Sequence, residues 1–136
     1  GLFDYQRFRR REKPLRIAAA TDVGGGTSYS MLRTMDEGYK VIALQGEKLN
    51  PLQSFWQITR GNAESLSLAD RIGTLEPGTD ADITVLDARA TPVMRLRMEA
   101  VETLAEELFL LQTLGDDRAV AEVYVAGRPA KSDLSF

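Results

Sequence analysis

Arg16-Ile17-Ala18-Ala19-Ala20-Thr21-Asp22-Val23-Gly24-Gly25-Gly26-Thr27-Ser28 is a short apolar run that ends in one carboxylate and opens into three glycines. It reads as a strand over Leu15 to Thr21, followed by a turn. In α/β proteins the C-terminal lip of a parallel strand is where chemistry is placed, so Asp22 is the leading candidate site residue. The alanines before it suit a crowded interior that must leave room for a substrate or an ion. The chain has no histidine and no cysteine. Asp22 therefore cannot belong to a nitrogen- or sulfur-rich metal site assembled from these residues alone.

With 136 residues, 43% of them hydrophobic, the chain can bury one modest core. No apolar run approaches the ~20 residues of a membrane span, and no secretory leader pattern opens the sequence, so neither a membrane nor export is expected. The absence of cysteine excludes disulfides and fits the cytoplasm. Six cations (Arg7, Arg9, Arg10, Arg11, Lys13, Arg16) face only Asp4 and Glu12 near the N-terminus, in a chain of net charge −3. Such a cluster can mark a nucleic-acid arm, but the acidic remainder would repel phosphates and no recognition element follows. An exposed loop at Arg9-Arg10-Arg11 is expected, with no nucleic-acid partner.

Met31, Met35, Tyr39 and Ile42, with Gly38 and Gly46 alongside, recur at helical spacing and predict an amphipathic helix from about Ser28 to Glu47. Asn50-Pro51 restarts a helix, with Asn50 as N-cap and Gln53 placed to complete a capping box. Leu52, Phe55, Trp56 and Thr59 are its expected buried stripe. Pro77-Gly78 suits a type II turn. A strand with alternating Ile83, Val85 and Asp87 follows, then a helix from Glu99 to Leu114 with Val101, Leu104, Leu108 and Leu111 in register and Gly115 as C-cap. Ala119 to Ala126 closes as a strand before the Ala126-Gly127-Arg128-Pro129 turn. One parallel strand and two helices cannot complete a sheet, and Gly1 is not a methionine, so the chain reads as the tail of something larger.

Several local readings of the site stay open. Asp22 could cap the turn before the Ser28 helix. The glycines could cradle phosphate at a helix N-terminus, although the Gly-Lys-Ser/Thr of a P-loop is missing. They could equally let backbone pass close to a metal and substrate. Asp80 and Asp82 could suggest a cation site, but they lack a calcium-loop pattern and read as a solvated turn.

Thr21-Asp22, the segment from Ile72-Gly73-Thr74-Leu75-Glu76-Pro77-Gly78-Thr79-Asp80-Ala81-Asp82 to Asp87, and Val123-Tyr124-Val125-Ala126-Gly127-Arg128 resemble the C-terminal portion of a metal-dependent amidohydrolase. The segment from Thr21-Asp22 to Met31-Leu32, with the opening Gly1-Leu2-Phe3, is similar to the members that deaminate guanine. The resemblance implies an α/β chain comprising the C-terminal part of a (β/α)₈ barrel and part of a small β-sandwich. Residues 1–70 would end the barrel, 71–90 and 119–136 would be sandwich strands, and 91–118 would be a helical connection. By motif match Asp22 is the strand-eight aspartate, a ligand of catalytic Zn²⁺ and a proton shuttle in the hydrolysis of guanine to xanthine and ammonia. The histidine ligands would lie in a missing N-terminal barrel segment, so the chain alone would be inactive, and the complete enzyme would be a homodimer. Other outcomes are an amidohydrolase acting on a triazine or another nucleobase, or a non-catalytic α/β interaction module.

Overall fold

A computed structural model describes residues 2–131; Gly1, and residues 132–136 of the expected sandwich range, lie outside the described residues. In order, the elements are α1 (Tyr5–Arg9), α2 (Met31–Ala43), α3 (Pro51–Trp56), a π turn (Gln57–Gly61), α4 (Asn62–Ser65), β1 (Ile83–Leu86), α5 (Pro92–Met98), α6 (Leu104–Leu114), a 3₁₀ turn (Asp117–Ala119), β2 (Val120–Val125) and β3 (Arg128–Pro129).

Helix α2 is shorter than its apolar pattern at both ends. Ser30 is the N-cap, its hydroxyl accepting the Arg33 N–H at 3.3 Å, so the helix starts at Met31 rather than Ser28. Gly46 is not on the helical face. Its N–H bonds the Ala43 carbonyl and the Glu47 N–H bonds Ile42, the two bonds of a Schellman ending. Within these limits Leu32, Met35 and Ile42 are buried.

Asn50 caps α3 as expected, accepting the Leu52 N–H at 2.9 Å, but Gln53 does not reach back to complete a box. The buried face also differs from the expected stripe. Leu52 and Trp56 are about half exposed, while Ser54, Gln57 and Ala63 are buried. Two causes shift the phase: the π turn rotates everything after Trp56, and the Gln57 amide is drawn inward by backbone it must bond. The expected Glu99–Leu114 helix is two helices. Pro92 opens α5 behind the Thr91 cap, and Thr103 and Glu106 form a reciprocal capping box that starts α6. Leu104 is consequently at the exposed first turn, and α6 buries Leu110, Leu111 and Gln112.

The sheet order is β1-β2-β3, antiparallel throughout. A register shift between Val85 and Leu86 breaks the expected alternation, so Ile83 and Leu86, three apart, are the half-buried pair. The Glu76–Thr79 turn forms around Gly78, whose φ of +98° is what position i+2 of a type II turn requires. Two clusters make the core. Leu32, Met35, Ala88, Met94, Met98, Leu110, Leu111 and Ala119 form the larger, and Tyr5, Ile42 and Leu49, with Ile17 against them, the smaller. Helix α2 supplies residues to both, tying the N-terminal segment to the remainder. No helix among the described residues is long and apolar enough to cross a membrane.

Candidate functional site

Leu15–Thr21 is not a strand: it has no ladder partner among the described residues. A strand is defined by its neighbours, and here side chains take that place. The Ala19 N–H donates to Asn62 Oδ1 at 2.8 Å, and Asn62 Nδ2 donates to the Ala19 carbonyl at 2.8 Å. Gln57 Nε2 donates to the Ile17 carbonyl, and the Tyr5 hydroxyl donates to Gln57 Oε1 at 3.1 Å. The Leu15 N–H reaches the Phe8 carbonyl at 3.3 Å. Ile17 and Ala19 are half-buried while Ala18 and Ala20 are exposed, the two-sided alternation of an extended segment.

Asp22 follows directly, at a corner. Its φ is +52°, a left-handed conformation uncommon for a residue with a side chain. The corner is closed from the other side, because the N–H groups of Gly25 and Gly26 both donate to the Asp22 carbonyl, at 3.0 and 2.5 Å. A Cβ on Gly26 would lie 2.0 Å from the Thr21 carbonyl oxygen, and one on Gly25 would lie 2.8 Å from Asp22 Oδ2. Among the described residues, then, the glycines let the loop pass close to Asp22 itself. The carboxylate is exposed and makes no hydrogen bond among the described residues, and Ser30, not Asp22, caps α2.

The remaining candidates have structural partners. Asp80 pairs with Arg71 at 2.9 Å, and Asp82 Oδ1 accepts the Ala126 N–H at 2.8 Å, so these carboxylates tie the turn to the hairpin. Arg9 and Arg10 are not simply solvated loop: α1 ends in Arg9, which lies 5.5 Å over the Tyr5 ring, and Arg10 pairs with Glu47 at 2.9 Å. Arg16 donates to the Glu64 carbonyl at 2.9 Å. A cleft of about 760 Å³ between the start of α2, α3 and the sheet is lined by Tyr29, Leu32, Phe55, Leu75 and Ile83 among others, and Asp22 is not in its wall.

Among the described residues no three carboxylates converge on a point where a cation could sit. Asp22 fits a divalent cation as one hard, unencumbered oxygen ligand, and the residues here supply no second ligand beside it. Sequence reading missed Gln57 and Asn62, because neither lies in a recognisable motif and their shared target is 40 or more positions away.

Residues 5–130 match the amidohydrolase family. The chain belongs to that family. It is 41% identical to guanine deaminase of Escherichia coli over 128 residues, which are 94% of this chain and 29% of that protein. The E. coli guanine deaminase structure superposes with a TM-score of 0.82 at 43% identity, over 85% of this chain and 27% of that one. Guanine deaminase from Bradyrhizobium japonicum gives a TM-score of 0.82 at 33% identity, over 95% and 34%. This amidohydrolase chain thus has the α/β fold of those structures and spans about a third or less of their length.

Proposed function

We propose that this chain is the C-terminal end of a zinc amidohydrolase that converts guanine to xanthine and ammonia, with Asp22 as its catalytic and metal-binding carboxylate. The observation that carries this reading is the free Asp22 carboxylate, held at a left-handed corner, in a chain 41% identical to E. coli guanine deaminase. In this reading the segment ending at Asp22 is barrel strand eight, residues 1–70 complete the barrel, 71–90 and 119–136 belong to a β-sandwich, and 91–118 connect them. The three-stranded sheet and the α5–α6 pair support that division. The other zinc ligands come from a histidine-bearing barrel segment outside these 136 residues, so the isolated chain is inactive. The complete enzyme is a cytoplasmic homodimer.

Zinc, when bound, supplies Lewis-acid activation of water. Asp22 supplies the proton handling. It accepts the proton released as the water oxygen bonds to the amine-bearing carbon of guanine, and passes it to the departing nitrogen as the C–N bond breaks. A carboxylate beside a divalent cation stays ionised and is ready to accept.

The test is ammonia release from guanine by the intact gene product with zinc, by its Asp22→Asn variant, and by the isolated chain. Turnover by the intact protein alone, lost by about 10²–10⁴-fold or more in Asp22→Asn, is the expected result. Turnover of a triazine or another aminated ring in place of guanine would overturn the substrate assignment.

A further inference from the structure

The helical run from Pro51 to Ser65 is interrupted by the π turn Gln57–Gly61. On an unbroken α-helix of 3.6 residues per turn, side chains five positions apart point about 140° away from each other. The i→i+5 closure of a π turn brings such a pair toward one face, and π turns recur at functional sites. Gln57 and Asn62 are that pair. Both reach one short stretch of backbone, Gln57 at the Ile17 carbonyl and Asn62 at both polar groups of Ala19.

The gripped residue lies three positions before Asp22. At no more than about 3.6 Å per residue, the Asp22 backbone is within about 11 Å of the clamp. On its far side Asp22 is fixed by the Gly25 and Gly26 N–H groups and by the wedge of Gly26 against the Thr21 carbonyl. Only Ala20 and Thr21 separate the two restraints. Resting on the reading of Asp22 as the reacting carboxylate, we infer that Asn62 is a positioning residue: its amide, aligned with Gln57 by the π turn, sets where the segment ends and so where that carboxylate is held.

The test uses the full-length enzyme with Asn62→Ala, Asn62→Asp, Asp22→Asn and, as a control for lost stability, Met98→Ala in the core. Asn62→Ala is expected to lower kcat for guanine at least tenfold with KM within twofold, and to speed deuterium uptake at the Ala19 amide. Met98→Ala is expected to lower the melting temperature and leave kcat in place. Asn62→Asp keeps the acceptor for the Ala19 N–H, but its ionised form cannot donate to the Ala19 carbonyl. Its kcat relative to the parent should therefore rise as pH falls and the acid O–H forms. Unchanged protection of the Ala19 amide in Asn62→Ala overturns the clamp whatever the substrate. Loss of turnover in Asp22→Asn with parental kcat in Asn62→Ala overturns the positioning role alone. Full turnover in Asp22→Asn removes both the reading of Asp22 and the role of Asn62.

Discussion

Asn62 and Ala19, 43 positions apart, exchange two hydrogen bonds of 2.8 Å each, one in each direction. A primary amide side chain carries the same planar donor and acceptor as a peptide group, so Asn62 gives Ala19 what a neighbouring strand would give it. Those two backbone groups are half-buried, where leaving either unpaired would cost about 1–3 kcal/mol. The residues leading to Asp22 are thereby fixed by a helix.

Gly26 and Gly38 should respond oppositely to alanine. At Gly26 a Cβ would meet the Thr21 carbonyl oxygen at 2.0 Å, a backbone atom that cannot step aside, whereas at Gly38 nothing lies within 4 Å. Gly26→Ala is expected to cost about 3 kcal/mol or more and to displace Asp22. Gly38→Ala, inside α2, should stabilise by about 0.5–1 kcal/mol. Denaturant midpoints of the two variants of the full-length protein check the pair; a neutral Gly26→Ala would contradict the corner geometry.

Gln112 is 1% exposed, and its Oε1 has no partner among the described residues, while its Nε2 makes only a long 3.4 Å contact to the Met35 carbonyl. An apolar side chain of similar length removes the unpaired oxygen. Gln112→Met is therefore expected to leave stability unchanged or raise it by about 1 kcal/mol. A fall in melting temperature of several degrees would mean that the carbonyl oxygen has a partner.

Met94 is fully buried in the larger cluster, between α5 and α6. Met94→Ala should cost about 2–5 kcal/mol, the spread reflecting how far the cavity collapses. Chemical denaturation reads this directly, and a loss under about 1 kcal/mol would show that the site repacks.

Acid should weaken the start of α6. The backbone N–H groups of Glu102 and Thr103 and the Thr103 hydroxyl all donate to Glu106, holding its carboxyl below the usual range near 4.5. The sign follows from linkage: a depressed carboxylate contributes stability that is full above the unfolded value and is lost as pH falls through the folded one. Urea midpoints compared between pH 6 and pH 3 should fall less steeply in Glu106→Gln than in the parent. At the other extreme, the bond to Asp36 raises the Lys40 ammonium above its usual 10.5, so that contribution is present below about 10.5 and lost at more alkaline pH.

Caps, turns and the family motif were legible because each is written in a few adjacent residues. Asn50-Pro51, Gly78 and Gly115 act on backbone within one turn of themselves, and the strands at Ile83–Leu86 and Val120–Val125 lie where alternation places them. Asp22 could be singled out from the sequence for the same reason, at the end of a short apolar run that opens into glycines. What tertiary structure alone decided is which groups meet across distance. The π turn moved the buried face off Leu52 and Trp56, the bulge at Val85/Leu86 broke the alternation, and the amides of Gln57 and Asn62 replaced a strand beside Ile17 and Ala19. Periodicity records how often a side chain is apolar along one element; it carries no information about which backbone donor or acceptor, tens of residues away, that element must satisfy.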